Sequence, residues 1–285
     1  MTVGPLGQEV TVAAPDGRLL RAMLDGAGDD LVVLEAGLGG SGLTWGPVHA
    51  RLARTCRVVA YDRAGLGSSD PDPAPRDLDR LADDLETVIA AFPHRRLVLV
   101  GHSWGGPVVR VVASRRIARG LATAGAVLVD PSDERARAWS APFVRAASGM
   151  QAALLVPLAR AGLLAPLHRI ALAGLPAPLL ASAAAAAGSV PAAHAIASEQ
   201  RHLLPGLHAL AAHPGTATLP RVPVRLISGT ASGALTRRQR ADLVRAHRAS
   251  AAAAEDGGWI PAPRSAHMVP VTDPDVVAAV VADLL

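Results

Sequence analysis

Residues 101–106 read Gly-His-Ser-Trp-Gly-Gly, directly after the apolar run 97–100 and before the helix-like stretch that opens at Pro107. This G-x-S-x-G segment constrains the fold more than any other feature of the chain. A strand that turns straight into a helix at Ser103 forces a strained backbone conformation there. Side chains two residues away on either side would collide with so sharp a turn, and Gly101 and Gly105 remove those collisions. What remains is a hydroxyl lifted clear of a sheet, with the N–H groups of a helix start beneath it.

The rest of the chain has the rhythm such a turn needs. Runs 9–14 and 19–24 flank Pro15-Asp16-Gly17, a hairpin signal. Further strands are predicted over 31–34, 57–61, 97–100, 126–129 and 224–228 and near Trp259-Ile260. Leu78, Leu81, Leu85, Val88 and Ile89 have helical spacing, and further helices are expected after Ser103, over 236–254 and over 275–285. This alternation implies an α/β fold, a mostly parallel central sheet with helices on both faces. Residues 131–219 break the rhythm, being rich in Ala, Leu and Pro without a convincing strand. They read as a helical cap inserted over the C-terminal edge of the sheet, where ligands bind in open α/β folds. The core domain is then 1–130 and 220–285.

Composition excludes several functions. The 285 residues are enough for one large domain with a substantial core. Only 2% are aromatic, so that core must be built from Ala, Val and Leu. No lysine is present, and all 28 basic residues are arginine, which excludes a Schiff base or a lysine base. The cluster Arg237, Arg238, Arg240, Arg245 and Arg248 reads as a solvated helix face rather than a nucleic-acid site. Cys56, alone in the chain, reads as a buried thiol. The N-terminus has neither the basic start nor the apolar core of a signal peptide, so a cytoplasmic location is expected. Residues 170–193 are uncharged, but Pro176, Pro178 and Pro191 interrupt them, and no membrane span is expected. His194, His202, His208 and His213 fit no zinc spacing, so neither metal nor cofactor is expected.

A serine hydroxyl needs a base to take its proton and a third group to orient that base. His267, in Arg264-Ser265-Ala266-His267-Met268-Val269-Pro270, follows the last strand and precedes the last helix. The turn at Ser103, this late histidine and the order of elements resemble the α/β-hydrolase superfamily across nearly the whole chain, least in the cap. The resemblance implies a backbone oxyanion hole from the N–H groups of Trp104 and Leu38, with Ala36 standing where the family commonly has His. It also implies that His102 is a packing residue, pointing away from the base position. The family's usual acid follows the strand 224–228, yet residues 229–234 hold no carboxylate, and Asp242 falls inside a helix and reads as solvated. Asp130 ends the preceding strand, where relatives such as haloalkane dehalogenases carry their acid. It is the candidate acid, with Asp133 and Glu134 the alternatives.

Glu35 beside the Leu38 loop reads as a bracing carboxylate. The loop 62–70 matches a family turn rather than a dinucleotide fingerprint, with Asp62 and Arg63 as its braces. Trp45, Trp104 and Trp139 fall in segments next to the site, and Trp45 and Trp139 are the candidate walls of a pocket for a small to medium hydrophobic substrate. Dehalogenases and epoxide hydrolases of this superfamily carry Asp where Ser103 stands, so the chemistry implied is an acyl-enzyme on Ser103. The expected substrate is a carboxylic ester, thioester or lactone. Two alternatives stay open on the same scaffold. One is a cofactor-free perhydrolase, lyase or cyclase, and the other is a non-catalytic ligand receptor.

Overall fold

The computed structural model describes residues 3–212, 221–234 and 236–285. Its strands are β1 (Val3–Gly4), β2 (Gly7–Ala13), β3 (Leu19–Asp25), β4 (Asp30–Glu35), β5 (Arg57–Tyr61), β6 (Arg96–His102), β7 (Gly125–Val129), β8 (Val224–Gly229) and β9 (Gly257–Ala262). They form one sheet in the order β1-β2-β3-β5-β4-β6-β7-β8-β9. The first three strands pair antiparallel, and β3 meets β5 antiparallel. From β5 to β9 every pairing is parallel.

Parallel strands require crossovers, and helices supply them on both faces. They are α1 (Gly46–Leu52), α2 (Leu78–Ala90), α3 (Gly105–Ala118), α4 (Pro142–Arg160), α5 (Leu164–Ala171), α6 (Ala177–Gly188), α7 (Val190–Ala212), α8 (Arg237–Ala253), α9 (Val269–Thr272) and α10 (Pro274–Ala282). Side chains alternate across a strand, so each central strand feeds two cores. Leu31, Val33, Leu97 and Leu99 pack with Leu81, Leu85 and Val88 of α2 and Val108 and Val112 of α3. Val32, Leu34, Val98 and Val100 pack on the other face with Val48 of α1 and Val277 and Val281 of α10. The run of apolar residues in β4 and β6 is the signature of a strand buried on both sides.

Among the described residues, the segment between β7 and β8 contains no strand. Helices α4 to α7 hold a third, smaller core in which Ala152, Leu155, Leu164, Ala187, Ala192 and Ile196 pack with Leu66. Pro131, Ser132 and Asp133 are buried beside the sheet, so the helical segment itself starts nearer the turn Arg137–Ser140. Its expected end at 219 lies outside the described residues. Helix α1, which the sequence reading did not anticipate, is only seven residues long, too short to show a hydrophobic period.

Candidate active site

Strand β6 delivers Ser103 into a turn with φ of 53°, the left-handed region that a residue with a Cβ seldom enters. Its backbone is pinned from three sides: Ser103 N–H donates to Val129 O at 3.1 Å, and Ser103 O accepts from Gly106 and Ser132 at 3.0 and 2.9 Å. A Cβ on Gly101 would sit 2.3 Å from Gly105 O, and one on Gly105 would sit 2.5 Å from Ala36 O. The glycines are therefore required by close backbone approach. Trp104 caps α3 without any side-chain hydrogen bond.

Asp130 follows β7 with φ of 42°, a conformation Asp tolerates better than most residues, and is 0% exposed. Its Oδ1 accepts from Gly229 N–H at 3.0 Å and its Oδ2 from His267 Nδ1 at 2.7 Å. Arg240 Nη1 lies 2.7 Å from both oxygens. Burial alone would raise the Asp130 carboxyl. The hydrogen bond from His267 and the charges of His267, His247 and Arg240 outweigh it and hold the group below the usual carboxylate value. An ionised acceptor at Nδ1 places the imidazole proton there and leaves Nε2 with its lone pair. His102 is no base. Burial, reinforced by the charge of His267, pushes it down to about 3, and its Nε2–H donates to His267 O at 2.9 Å. It braces the loop that carries His267.

The alternative acids are committed elsewhere. Asp133 accepts from Ser250 Oγ at 2.6 Å and from Arg135 N–H at 2.9 Å. Glu134 pairs with Arg110 through two contacts of 2.8 Å. Asp242 is not simply solvated, because it accepts from Ala138 N–H at 3.1 Å and ties α8 to the turn before α4. Arg240, expected on a solvated face, instead reaches inward to Asp130. Its partner could not be found from spacing, since a charge cluster on a helix does not reveal which member points inward.

Two cavities, of about 580 and 530 Å³, share Leu38, Ser103, Ala147, Gln151 and His267 in their walls. The larger adds Trp139, Phe143, Gln200, Gln239 and Arg240, and the smaller adds Leu154, Leu155, Leu158, Leu164, Leu167 and Ile196. One arm is thus mixed in polarity and the other leucine-rich, and they meet at the serine. Trp139 lines the first arm, its Nε1–H donating to Asp133 O at 2.8 Å. The expectation for Trp45 needs correction. It is fully buried in the core beside Val48 and Leu52, edge-on to His102 at 6.3 Å between ring centroids, and lines neither cavity. Trp104 is likewise buried and lines neither cavity.

Below the Leu38 loop lies a buried cluster. Glu35 accepts from Tyr61 Oη and from Arg63 Nε, the latter at 2.5 Å, while Arg63 also donates to Ala36 O and to Glu199 of α7 at 2.6 Å. Burial pushes the Glu35 carboxyl up, against the pull of Arg63 and Tyr61. Glu35 and Arg63 are thus loop braces, and Glu199, which sequence alone did not single out, anchors the helical segment to them. Asp62 accepts from Gly42 N–H at 2.9 Å and holds the neighbouring turn. His202 bonds to Ser198 O at 2.8 Å within its own helix, and no cluster of three metal-ligating side chains occurs among the described residues. His213 lies outside them.

Residues 32–280 match the profile of the alpha/beta hydrolase family. The chain belongs to that family. Among curated relatives, the protein named as carbamate hydrolase RutD in Pantoea ananatis is 44% identical over 78 residues, 27% of this chain and 28% of that protein. The chain thus matches under a third of the length of that relative. Among solved structures, a hydrolase from Pseudomonas aeruginosa PA01 superposes with a TM-score of 0.69 at 23% identity, covering 98% of both chains. The epoxide hydrolase CorEH superposes with a TM-score of 0.66 at 18% identity, over 97% of this chain and 98% of that one. Both likenesses establish the fold alone.

Proposed function

We propose that this alpha/beta hydrolase family member is a serine hydrolase that cleaves a carboxylic ester, thioester or lactone through an acyl-enzyme on Ser103. One observation carries the reading: His267 Nδ1 lies 2.7 Å from the buried Asp130 carboxylate while Ser103 and His267 line the same cavities. In this triad Nε2 of His267 takes the Ser103 proton as Oγ bonds to the substrate carbonyl carbon. The developing oxyanion meets the N–H groups of Leu38 and Trp104, fixed donors that need no reorganisation. His267 then returns the proton to the leaving oxygen or sulfur. Water repeats the sequence on the acyl-enzyme and releases the acid.

Ser103 separates this site from the Asp-nucleophile route expected of epoxide hydrolases, so the likeness to CorEH supports the scaffold and not its reaction. The carbamate named for the Pantoea relative is also a carbonyl acceptor, and the same two-step route would serve it. The cap residues lining the leucine-rich arm favour a hydrophobic acyl group, and the Gln- and Arg-bearing arm favours a more polar leaving group.

The test is intact mass after incubation with a fluorophosphonate. A single adduct that vanishes in Ser103→Ala is the expected result, followed by turnover on a panel of activated esters and lactones. Folded protein that takes no adduct would sink the proposal and leave the receptor reading in its place. An adduct without ester turnover would favour the non-hydrolytic enzymes.

A further inference from the structure

The helical segment carries exposed charge of one sign. From 137 to 212 its arginines are Arg137, Arg145, Arg160, Arg169 and Arg201, all exposed. The one carboxylate in that span, Glu199, is buried against Arg63. The same segment concentrates exposed apolar side chains. Phe143, Met150 and Leu154 recur at intervals of seven and four on α4, and Leu163, Leu167 and Ile170 recur at four and three on and beside α5. Such spacings put each trio on one helix face. Phe143 and Ile170 are 74% and 75% exposed. Met150, Leu154 and Leu167 also line the leucine-rich cavity, so its wall runs continuously into this outer face.

Arg160 and Arg169 lie toward the edges of these stripes, while Arg145 is on the opposite side of α4. An apolar face edged by arginines, with no exposed acid in the span, is what a helix lying in a lipid interface requires. We propose that the α4–α5 face docks on an anionic lipid surface, with the leucine-rich cavity opening toward it. Charge selects this occupant. A second copy of the chain meeting the same face would gather Arg160 and Arg169 of both copies in one contact, because a two-fold contact pairs a patch with itself. Anionic headgroups neutralise those charges instead. The contact is peripheral, as no single helix among the described residues is long and apolar enough to cross a membrane. Delivery of a lipid-borne ester to Ser103 rests on the function proposed above, whereas the docking does not.

The test is flotation of the full chain carrying Ser103→Ala with phosphatidylcholine vesicles, with and without phosphatidylglycerol. Binding is expected only with phosphatidylglycerol present and is lost at high salt. Arg160→Glu with Arg169→Glu, and separately Ile170→Ser, should each weaken it by about tenfold. Arg160, Arg169 and Ile170 line neither cavity, and thermal unfolding of each variant verifies that the fold is kept. Absent binding, equal binding to neutral vesicles, or binding indifferent to these substitutions overturns the proposal. So does a dimer in light scattering that Ile170→Ser dissolves, which would assign the face to a second copy. Vesicle binding is read on an inactive chain, so its failure is distinguishable from failure of the fluorophosphonate test.

Discussion

Strands β7 and β8 lie side by side and end at the same edge of the sheet, yet they contribute opposite things. The end of β7 supplies a fully buried carboxylate, Asp130, in a left-handed conformation. The end of β8 supplies no side chain to His267, only the Gly229 N–H that donates to Asp130 and the close backbone approach that a glycine permits. A Cβ on Gly229 would lie 1.5 Å from Ala266 O, so the two loops are pressed together there. In the proposed triad the carboxylate beside His267 comes from the β7 end, and the β8 end holds that carboxylate through backbone. Where β7 provides the acid, β8 is free to provide backbone.

The sharpest way to break this comparison is Asp130→Asn. An amide in place of the carboxylate presents its NH₂ to His267 Nδ1 or accepts weakly, and the tautomer with a basic Nε2 loses its support. The expected loss in kcat is about 10³- to 10⁴-fold on an activated ester, with KM little changed. Placing a carboxylate on the other strand end, as Asp130→Asn with Ala231→Asp, should then regain about tenfold over the single variant. Full activity in Asp130→Asn would show that the acid does not come from β7 at all.

The core strands were legible because each shows its burial as an apolar run, and β5 was read to the residue. The turn at Ser103 was legible for a different reason, since its glycines form a short local pattern, even though only Gly101 is dictated locally, by Gly105, and Gly105 itself is required by the distant Ala36. Contacts across the chain were not. Arg240 meets Asp130 from 110 residues away, and Glu199 meets Arg63 from 136. Neither carries a local signal, because an inward arginine and a solvated one look alike on a helix face. Trp45 failed for the same reason: its place in the loop was right, but nothing local told the core side of that loop from the cavity side. Asp130 was singled out partly because the neighbouring loop lacked an acid, and its Oδ2 lies 2.7 Å from His267 Nδ1.

A smaller effect tests the third strand end. His102 closes β6, and the site keeps its charge on the β7 side only if His102 stays neutral. Buried and held at about 3, against an ordinary 6.5, it binds no proton across a range where the unfolded chain does. The unfolded state therefore takes up more protons as pH falls from about 6.5 to 3, and the folded state loses stability over that window. At pH 5 this costs about 2 kcal/mol. His102→Asn keeps a donor for His267 O but has nothing to titrate, so its denaturation midpoint should fall less between pH 8 and pH 5 than that of the parent chain. Parallel slopes would show that His102 is charged or exposed in solution.

The least effect, and the most discriminating for β7 against β8, belongs to Arg240. Helix α8 follows β8, so this arginine, with His247, is that side's charged contribution to the acid. Arg240 contacts both Asp130 oxygens and shares Oδ2 with His267, and while it is present the carboxylate is partly neutralised. Arg240→Gln removes that cation and leaves the Asp130 charge unshielded beside the imidazole. The acid limb of the kcat/KM profile should then move to higher pH. His247 also faces Asp130 and stays in place in every variant, its own proton affinity lowered by burial. Arg240→Lys restores the cation and should return the limb toward its original position. A role limited to holding α8 in place predicts lower kcat with no movement of the limb, and a role limited to gripping substrate predicts a rise in KM alone. Only a limb that moves in the glutamine variant and returns in the lysine variant makes β8's side an electrostatic partner of the acid it does not itself carry.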